Sequence, residues 1–227
     1  MCIIVYKPKK QNLPSKEILH NCFERNGDGI GYTFTLNNKV VIKKGYFDFN
    51  KFYEDVTNDF KRFKLFDKNM ILHFRISTSV AINEYKTHPF VLTSQKEHIE
   101  HKNVFCGYSV VHNGVLYDYE KKNGYTDTQN FILDFLSPLL RRFNYDFNDT
   151  LLQHIIKTEL RTSKICVLSY NDDVLKVGDF IKDNGIYYSN TSYKKIEYTT
   201  KYIQPSLYDY NYNTNKSVWR TLKDWDY

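Results

Sequence analysis

The feature that most limits the fold is the spacing between strand-like stretches. Tyr32–Leu36 and Lys39–Phe47 are joined by only Asn37-Asn38, and 165–170 and Val174–Phe180 only by Asn171-Asp172-Asp173. Such connections make antiparallel hairpins, because a parallel neighbour needs a crossover of about a dozen residues or more. Further strands are expected over Ile3–Val5, Met70–Ile76, Val104–Val111 and Gly185–Tyr188. Helical spacing appears elsewhere. Ser15 caps Lys16 to about Arg25, which carries Ile18, Leu19, Cys22 and Phe23 on one face. Phe52, Val56, Phe60 and Phe63 mark a helix over about 49–64. A helix capped by Thr126 or Asp127 turns Phe131, Phe135, Leu136, Leu139 and Leu140 inward, and Pro138 is expected to kink or end it. Another helix covers about 149–160. Strands, helix, strands, helices and strands in that order imply an α+β chain of antiparallel sheets with helices segregated outside.

The 227 residues suit one large domain or two small ones, and 20 Tyr and 16 Phe supply ample core material. Two regions are expected: a domain over 1–196 and an aromatic-rich tail over 197–227. With Trp219 and Trp225 the tail reads either as a segment draped over the domain or as a docking element. Lysines behind the net charge of +6 are scattered, which describes a solvated surface and gives no indication of nucleic acid. No apolar run approaches the roughly 20 residues of a membrane span, and no secretory signal is visible. Cys2, Cys22, Cys106 and Cys166 lack metal-site or disulfide-framework spacing, so free thiols in a cytoplasmic protein are expected, with no metal and no cofactor.

Chemistry concentrates at the start of the chain. Cys2 becomes the first residue once Met1 is removed, and its thiol and α-amine then share one Cα. An α-amine titrates near about 7.7–8.0, so it can take the thiol proton at neutral pH in place of a histidine. Ile3-Ile4-Val5 would hold that pair on a buried strand; the alternative is that Cys2 is a buried core thiol. In Asn26-Gly27-Asp28-Gly29-Ile30-Gly31, three glycines in five residues imply close approach of the backbone to a neighbouring strand or a ligand.

Taken in order, Met1-Cys2-Ile3-Ile4, Asn26-x-Asp28-Gly29-x-Gly31, His73-x-Arg75-x-x-Thr78, His88-Pro89-Phe90, His112-Asn113-Gly114 and Asp127-Thr128 resemble the class II glutamine amidotransferase domain of the N-terminal nucleophile (Ntn) hydrolases. The resemblance runs from Cys2 to about Ser192. It implies a four-layer αββα sandwich, two antiparallel sheets between helical layers. It also implies hydrolysis of the side-chain amide of L-glutamine. Cys2 Sγ matches the nucleophile, and Asn113 and Gly114 match the oxyanion donors. One such donor contributes about 2.7–4 kcal/mol of transition-state stabilisation. Arg75 matches the arginine for the α-carboxylate, where a bidentate fork is possible. Asp127 matches the aspartate for the α-ammonium, and Thr78 and the Gly27–Gly31 turn help shape the pocket. His73 and His112 are assigned to structure.

Each residue also has a plainer role open to it: Asn113-Gly114 as a hairpin turn, Asp127 as a helix cap, Arg75 as half of a surface ion pair. The chain departs from the family pattern in three places. Ser79-Val80 stands where glycine is frequent, Gln129 stands where glutamate often follows Asp-Thr, and the interval from Asn113 to Asp127 is short. Family enzymes usually join this domain to a synthase domain that consumes the ammonia. None is visible here, so either an ammonia acceptor on a separate protein is implied, or the chain works alone on glutamine or another amide. Two alternatives are an N-terminal cysteine amidase acting on an acyl amide and a non-catalytic binding protein that kept the fold, as a retained Met1 would require.

Overall fold

A computed structural model describes residues 2–77, 82–119 and 124–195. Met1, Thr78 and the proposed tail lie outside the described residues, as does the boundary expected at 196/197. Eleven strands are described, β1 (Ile3–Lys7), β2 (Ile30–Leu36), β3 (Lys39–Tyr46), β4 (Met70–Phe74), β5 (Phe90–Val91), β6 (Val104–Cys106), β7 (Tyr108–Asn113), β8 (Lys164–Ser169), β9 (Val174–Val177), β10 (Ile181–Asp183) and β11 (Ile186–Tyr188). The helices are α1 (Lys16–Arg25), α2 (Phe49–Arg62), α3 (Asp127–Phe131), α4 (Ser137–Arg142) and α5 (Thr150–Leu160).

The strands form a seven-stranded sheet, β10-β11-β1-β4-β2-β3-β6, and a four-stranded sheet, β5-β7-β8-β9. Every pairing described is antiparallel. Side-chain alternation along the strands builds three apolar layers. Ile3, Val5, Phe34, Leu72 and Phe74 face outward onto Leu19, Cys22, Phe52 and Val56 of α1 and α2. Ile4, Val40, Ile42 and Ile71 face inward and meet Val111, Cys166 and Leu168 of the second sheet. Beyond that sheet, Val110, Ile165 and Val167 pack on Phe131, Leu140, Leu152 and Ile156 of α3, α4 and α5. Helix, sheet, sheet and helix give the α+β sandwich that the strand spacing and the resemblance implied.

Local chemistry explains most boundaries. Ser15 accepts from the Ile18 amide, Asp48 from Lys51 and Asp149 from Leu152, each capping a helix start. Asn37 and Asn38 have φ of 50° and 55°, the left-handed pair a two-residue hairpin needs. Three expectations are corrected. The stretch 104–111 is two strands, because the chain leaves β6 at Gly107 and enters the other sheet as β7. Pro138 does not end its helix; a π turn over Ile132–Leu136 precedes it, and the helix runs on to Arg142. Val174–Phe180 is shortened to β9, and the chain then returns to the first sheet as β10.

In the glycine-rich stretch, Gly31 serves close backbone packing. A Cβ on Gly31 would lie 2.1 Å from the His88 carbonyl oxygen and 2.9 Å from that of Lys43. Both neighbours are backbone and cannot swing aside. Gly31→Ala is therefore expected to destabilise the protein by about 1–3 kcal/mol, read as a lower urea midpoint with unchanged slope.

Candidate active site

Cys2 sits at the head of β1, a strand paired on both sides, by β11 and by β4. Its thiol is half-buried. Sγ accepts from the Ile76 amide at 3.4 Å and lies 3.6 Å from the Ile76 carbonyl oxygen. The Cys2 carbonyl accepts from Asn190 Nδ2 at 2.7 Å. Burial pushes the thiol pKa up; the Ile76 hydrogen bond and the positive charge of Arg75 oppose that without cancelling it. The group is therefore held as a thiol that needs a base.

Arg75 follows β4. Its amide donates to Gly29 O and its carbonyl accepts from the Asp28 amide, both at 2.9 Å, so the glycine-rich turn holds its backbone. The residue is only 6% exposed. Nη2 donates to Ser77 Oγ at 3.2 Å, while Nη1 is buried with no hydrogen-bond partner among the described residues. Burial lowers the guanidinium pKa, and the nearby Cys2 and Asp28 pull it back up. Arg75 is thus a buried cation beside a thiol, with Nη1 unpaired among the described residues, and such a group can pair with an anion.

Asn113 ends β7 in the other sheet and is buried. Ser189 Oγ lies 2.8 Å from Asn113 Nδ2 and accepts the Ile4 amide, also at 2.8 Å, so one hydroxyl ties the carboxamide to the strand that carries Cys2. Gly114 has φ of 143°, and a Cβ there would fall 2.1 Å from Ser163 Oγ, so only glycine fits. Asp127 is half-buried in the first turn of α3, which Thr126, not Asp127, caps. Its Oδ2 accepts from the Leu116 amide at 3.1 Å and its Oδ1 from Thr128 at 2.8 Å. No described lysine or arginine pairs with it.

The fold thus brings Cys2 and Arg75 together, and Ser189 links Asn113 to the same strand. The contacts of Asp127 run to Leu116, Thr128 and, through its charge, His112. Sequence reasoning missed Ser189 and Asn190. The only signal was their place immediately after the last strand, whose partner was not evident.

Beneath the site lies a buried histidine group. The His73 and His88 rings are 4.1 Å apart, His73 Nε2 meets the His112 carbonyl at 3.0 Å, and His112 Nδ1 meets Thr128 Oγ1 at 2.9 Å. Both histidines assigned to structure in the sequence do make hydrogen bonds within the fold. Burial lowers all three: His73 to about 3, His112 to about 4 and His88 well below the usual range. Among the described residues no three His, Cys, Asp or Glu side chains are placed to hold a metal ion. None of the described helices is long and apolar enough to cross a membrane.

The sequence matches no protein-family profile and no curated protein. Among solved structures it is similar to the glutamine phosphoribosylpyrophosphate amidotransferase of B. subtilis, complexed with ADP and GMP. The identity is 16% and the TM-score 0.48, over 83% of this chain and 41% of that one. The chain thus spans about two fifths of that neighbour's length.

The histidine group sets a pH dependence. An unfolded histidine takes its proton near pH 6.5, whereas His112 and His73 resist protonation down to about 4 and 3. Between those limits the unfolded chain binds more protons, so acid favours it and stability falls as pH falls. The urea midpoint is expected to drop already between pH 7 and 5, before carboxylates titrate near about 4. A midpoint constant over that interval would show that the histidines are not neutral and buried.

Proposed function

We propose that this chain is a glutaminase of the class II amidotransferase type, with Cys2 as the nucleophile. The observation that carries the reading is the buried, half-paired guanidinium of Arg75 beside the Cys2 thiol. An amide substrate bearing a carboxylate would satisfy that cation and lay its carbonyl near Sγ. Once Met1 is removed, the α-amine of Cys2 takes the thiol proton. Sγ then bonds to the side-chain amide carbon of L-glutamine, and the carbonyl electron pair moves onto oxygen. Asn113 Nδ2 and the Gly114 N–H are the proposed donors to that oxyanion. As the tetrahedral intermediate collapses, the C–N bond breaks and the α-ammonium returns its proton to the departing ammonia. Water hydrolyses the glutamyl thioester, which gives glutamate and restores the thiol. Asp127 is proposed to take the substrate's α-ammonium, with Thr78 shaping the pocket. Neither a metal nor a cofactor is required. The ammonia is proposed to pass to an acceptor on a separate partner protein, in the cytoplasm.

One observation favours a second reading. Both Asp127 oxygens already accept backbone amides, Leu116 on one and Thr128 on the other. If that occupies the carboxylate fully, the substrate has no ammonium and the chain is an N-terminal cysteine amidase for acyl amides that carry a carboxylate.

The deciding experiment joins intact mass with turnover. Protein lacking Met1 is expected to release glutamate from glutamine and to gain one adduct at Cys2 from a glutamine-mimicking electrophile, with excess glutamine protecting it. Cys2→Ala should abolish both while the fold persists. Cys2→Ala with undiminished turnover sinks the mechanism, and equal turnover of glutaramate, which lacks the α-amine, selects the amidase. Protein that retains Met1 and neither labels nor turns over would point to the non-catalytic binding protein. Arg75→Ala should raise KM for glutamine about 10- to 100-fold, the loss of a charge-assisted hydrogen bond worth about 1.5–3 kcal/mol.

A further inference from the structure

We propose that Ser189 is a positioning residue that turns the Asn113 carboxamide so that its Nδ2, not its Oδ1, faces the reacting carbonyl. The inference rests on the glutaminase reading and extends it to a residue outside the matched motifs.

The warrant is the kind of group that each orientation of the carboxamide leaves unpaired. With Nδ2 directed at Ser189, the serine Oγ accepts two N–H groups, from Ile4 and from Asn113. Its own proton then has no acceptor among the described residues, and Asn113 Oδ1 is buried with no donor. Either orientation makes two hydrogen bonds at Ser189 Oγ and leaves one end of the carboxamide unmatched, so the two differ only in whether an acceptor or a donor is left over. The two ends of a carboxamide have nearly the same shape, so hydrogen bonding decides which end points where. Turned by 180°, Asn113 Oδ1 accepts the Ser189 hydroxyl proton across the same 2.8 Å. Oγ still accepts the Ile4 amide, and each of these oxygens then has a proton partner. The group left over is Nδ2, an unpaired donor at the place Oδ1 had occupied. The glutaminase reading calls for a donor there, since an oxyanion pairs with Nδ2 and is repelled by Oδ1, and the Ser189 hydroxyl is the group that holds Oδ1 away.

Ser189 is well held for this task. It is fully buried, so water does not compete for its hydroxyl. Its amide donates to the Ile4 carbonyl at 3.0 Å, and Lys164 Nζ donates to its own carbonyl. Asn190, the next residue, donates to the Cys2 carbonyl. One dipeptide therefore fixes both the backbone of the nucleophile and the proposed oxyanion amide.

A double-mutant cycle on glutamine turnover tests this with protein lacking Met1. Ser189→Ala is expected to lower kcat about tenfold or more with KM nearly unchanged, since the oxyanion exists only after substrate is bound. In an Asn113→Ala background the same change should cost less than about twofold, because the group it orients has gone. Equal losses in the two backgrounds would mean that Ser189 merely supports β1, and an unchanged kcat in the parent background would also overturn the proposal. If Ser189→Ala does not fold, Ser189→Cys replaces it, because sulfur keeps the volume but is a weak donor; the same outcomes then decide. A parent that turns over no glutamine would instead overthrow the glutaminase reading, and the role of Ser189 with it.

Discussion

Everything at the site depends on the pairing of β1 on both of its edges. A chain terminus ordinarily frays, since it has few neighbours to repay the entropy of ordering it. Here the first strand lies inside the seven-stranded sheet, with Ile4 opposite His73 on one side and Val5 opposite Tyr188 on the other. Ile3, Ile4 and Val5 are each fully buried, their alternate side chains anchored in two different apolar layers. That pairing holds Ile3–Val5 along both edges, and it gives Cys2 a fixed relation to Arg75, the residue just past the end of the neighbouring β4.

The electrostatics of the site follow from burial more than from any single charge. The Arg75 guanidinium draws the Cys2 pKa down, yet desolvation outweighs it and the net shift is upward. The histidine group below is held neutral by the same effect, so it adds little positive charge to the interior at neutral pH. Lys44 behaves likewise: buried against the Phe90 ring, it is pushed down to about 7. Arg75 keeps its charge near the thiol, which makes a substrate carboxylate its counterpart in the proposed reaction.

Much of the fold was legible because local chemistry and tertiary demand agree. The Asn37-Asn38 turn, the Ser15 cap and the aromatic stripe of α2 each needed only a few neighbouring residues to be read. The pairing of β1 with β11 was not legible, since it joins residues about 180 positions apart and leaves no local trace. Nor was the break at Gly107, where an apolar run looked like one strand because both halves carry strand-like side chains. At the candidate site, Cys2, Arg75, Asn113 and Gly114 could be named from motif order. Ser189 and Asn190 could not, because a serine and an asparagine after a strand look like any turn until the partner strand is known. The dual role of the Asp127 oxygens was likewise hidden, as it depends on where Leu116 returns in space.

The crossings between the two sheets carry a mechanical consequence. Gly107 alone separates β6 from β7, and only residues 178–180 separate β9 from β10. β6 and β10 are the two outer strands of the larger sheet. The sandwich is therefore laced along both of its long sides by links of one and three residues, too short to let one sheet slide over the other. Separating the sheets along either side would first have to break strand pairing at β6 or β10.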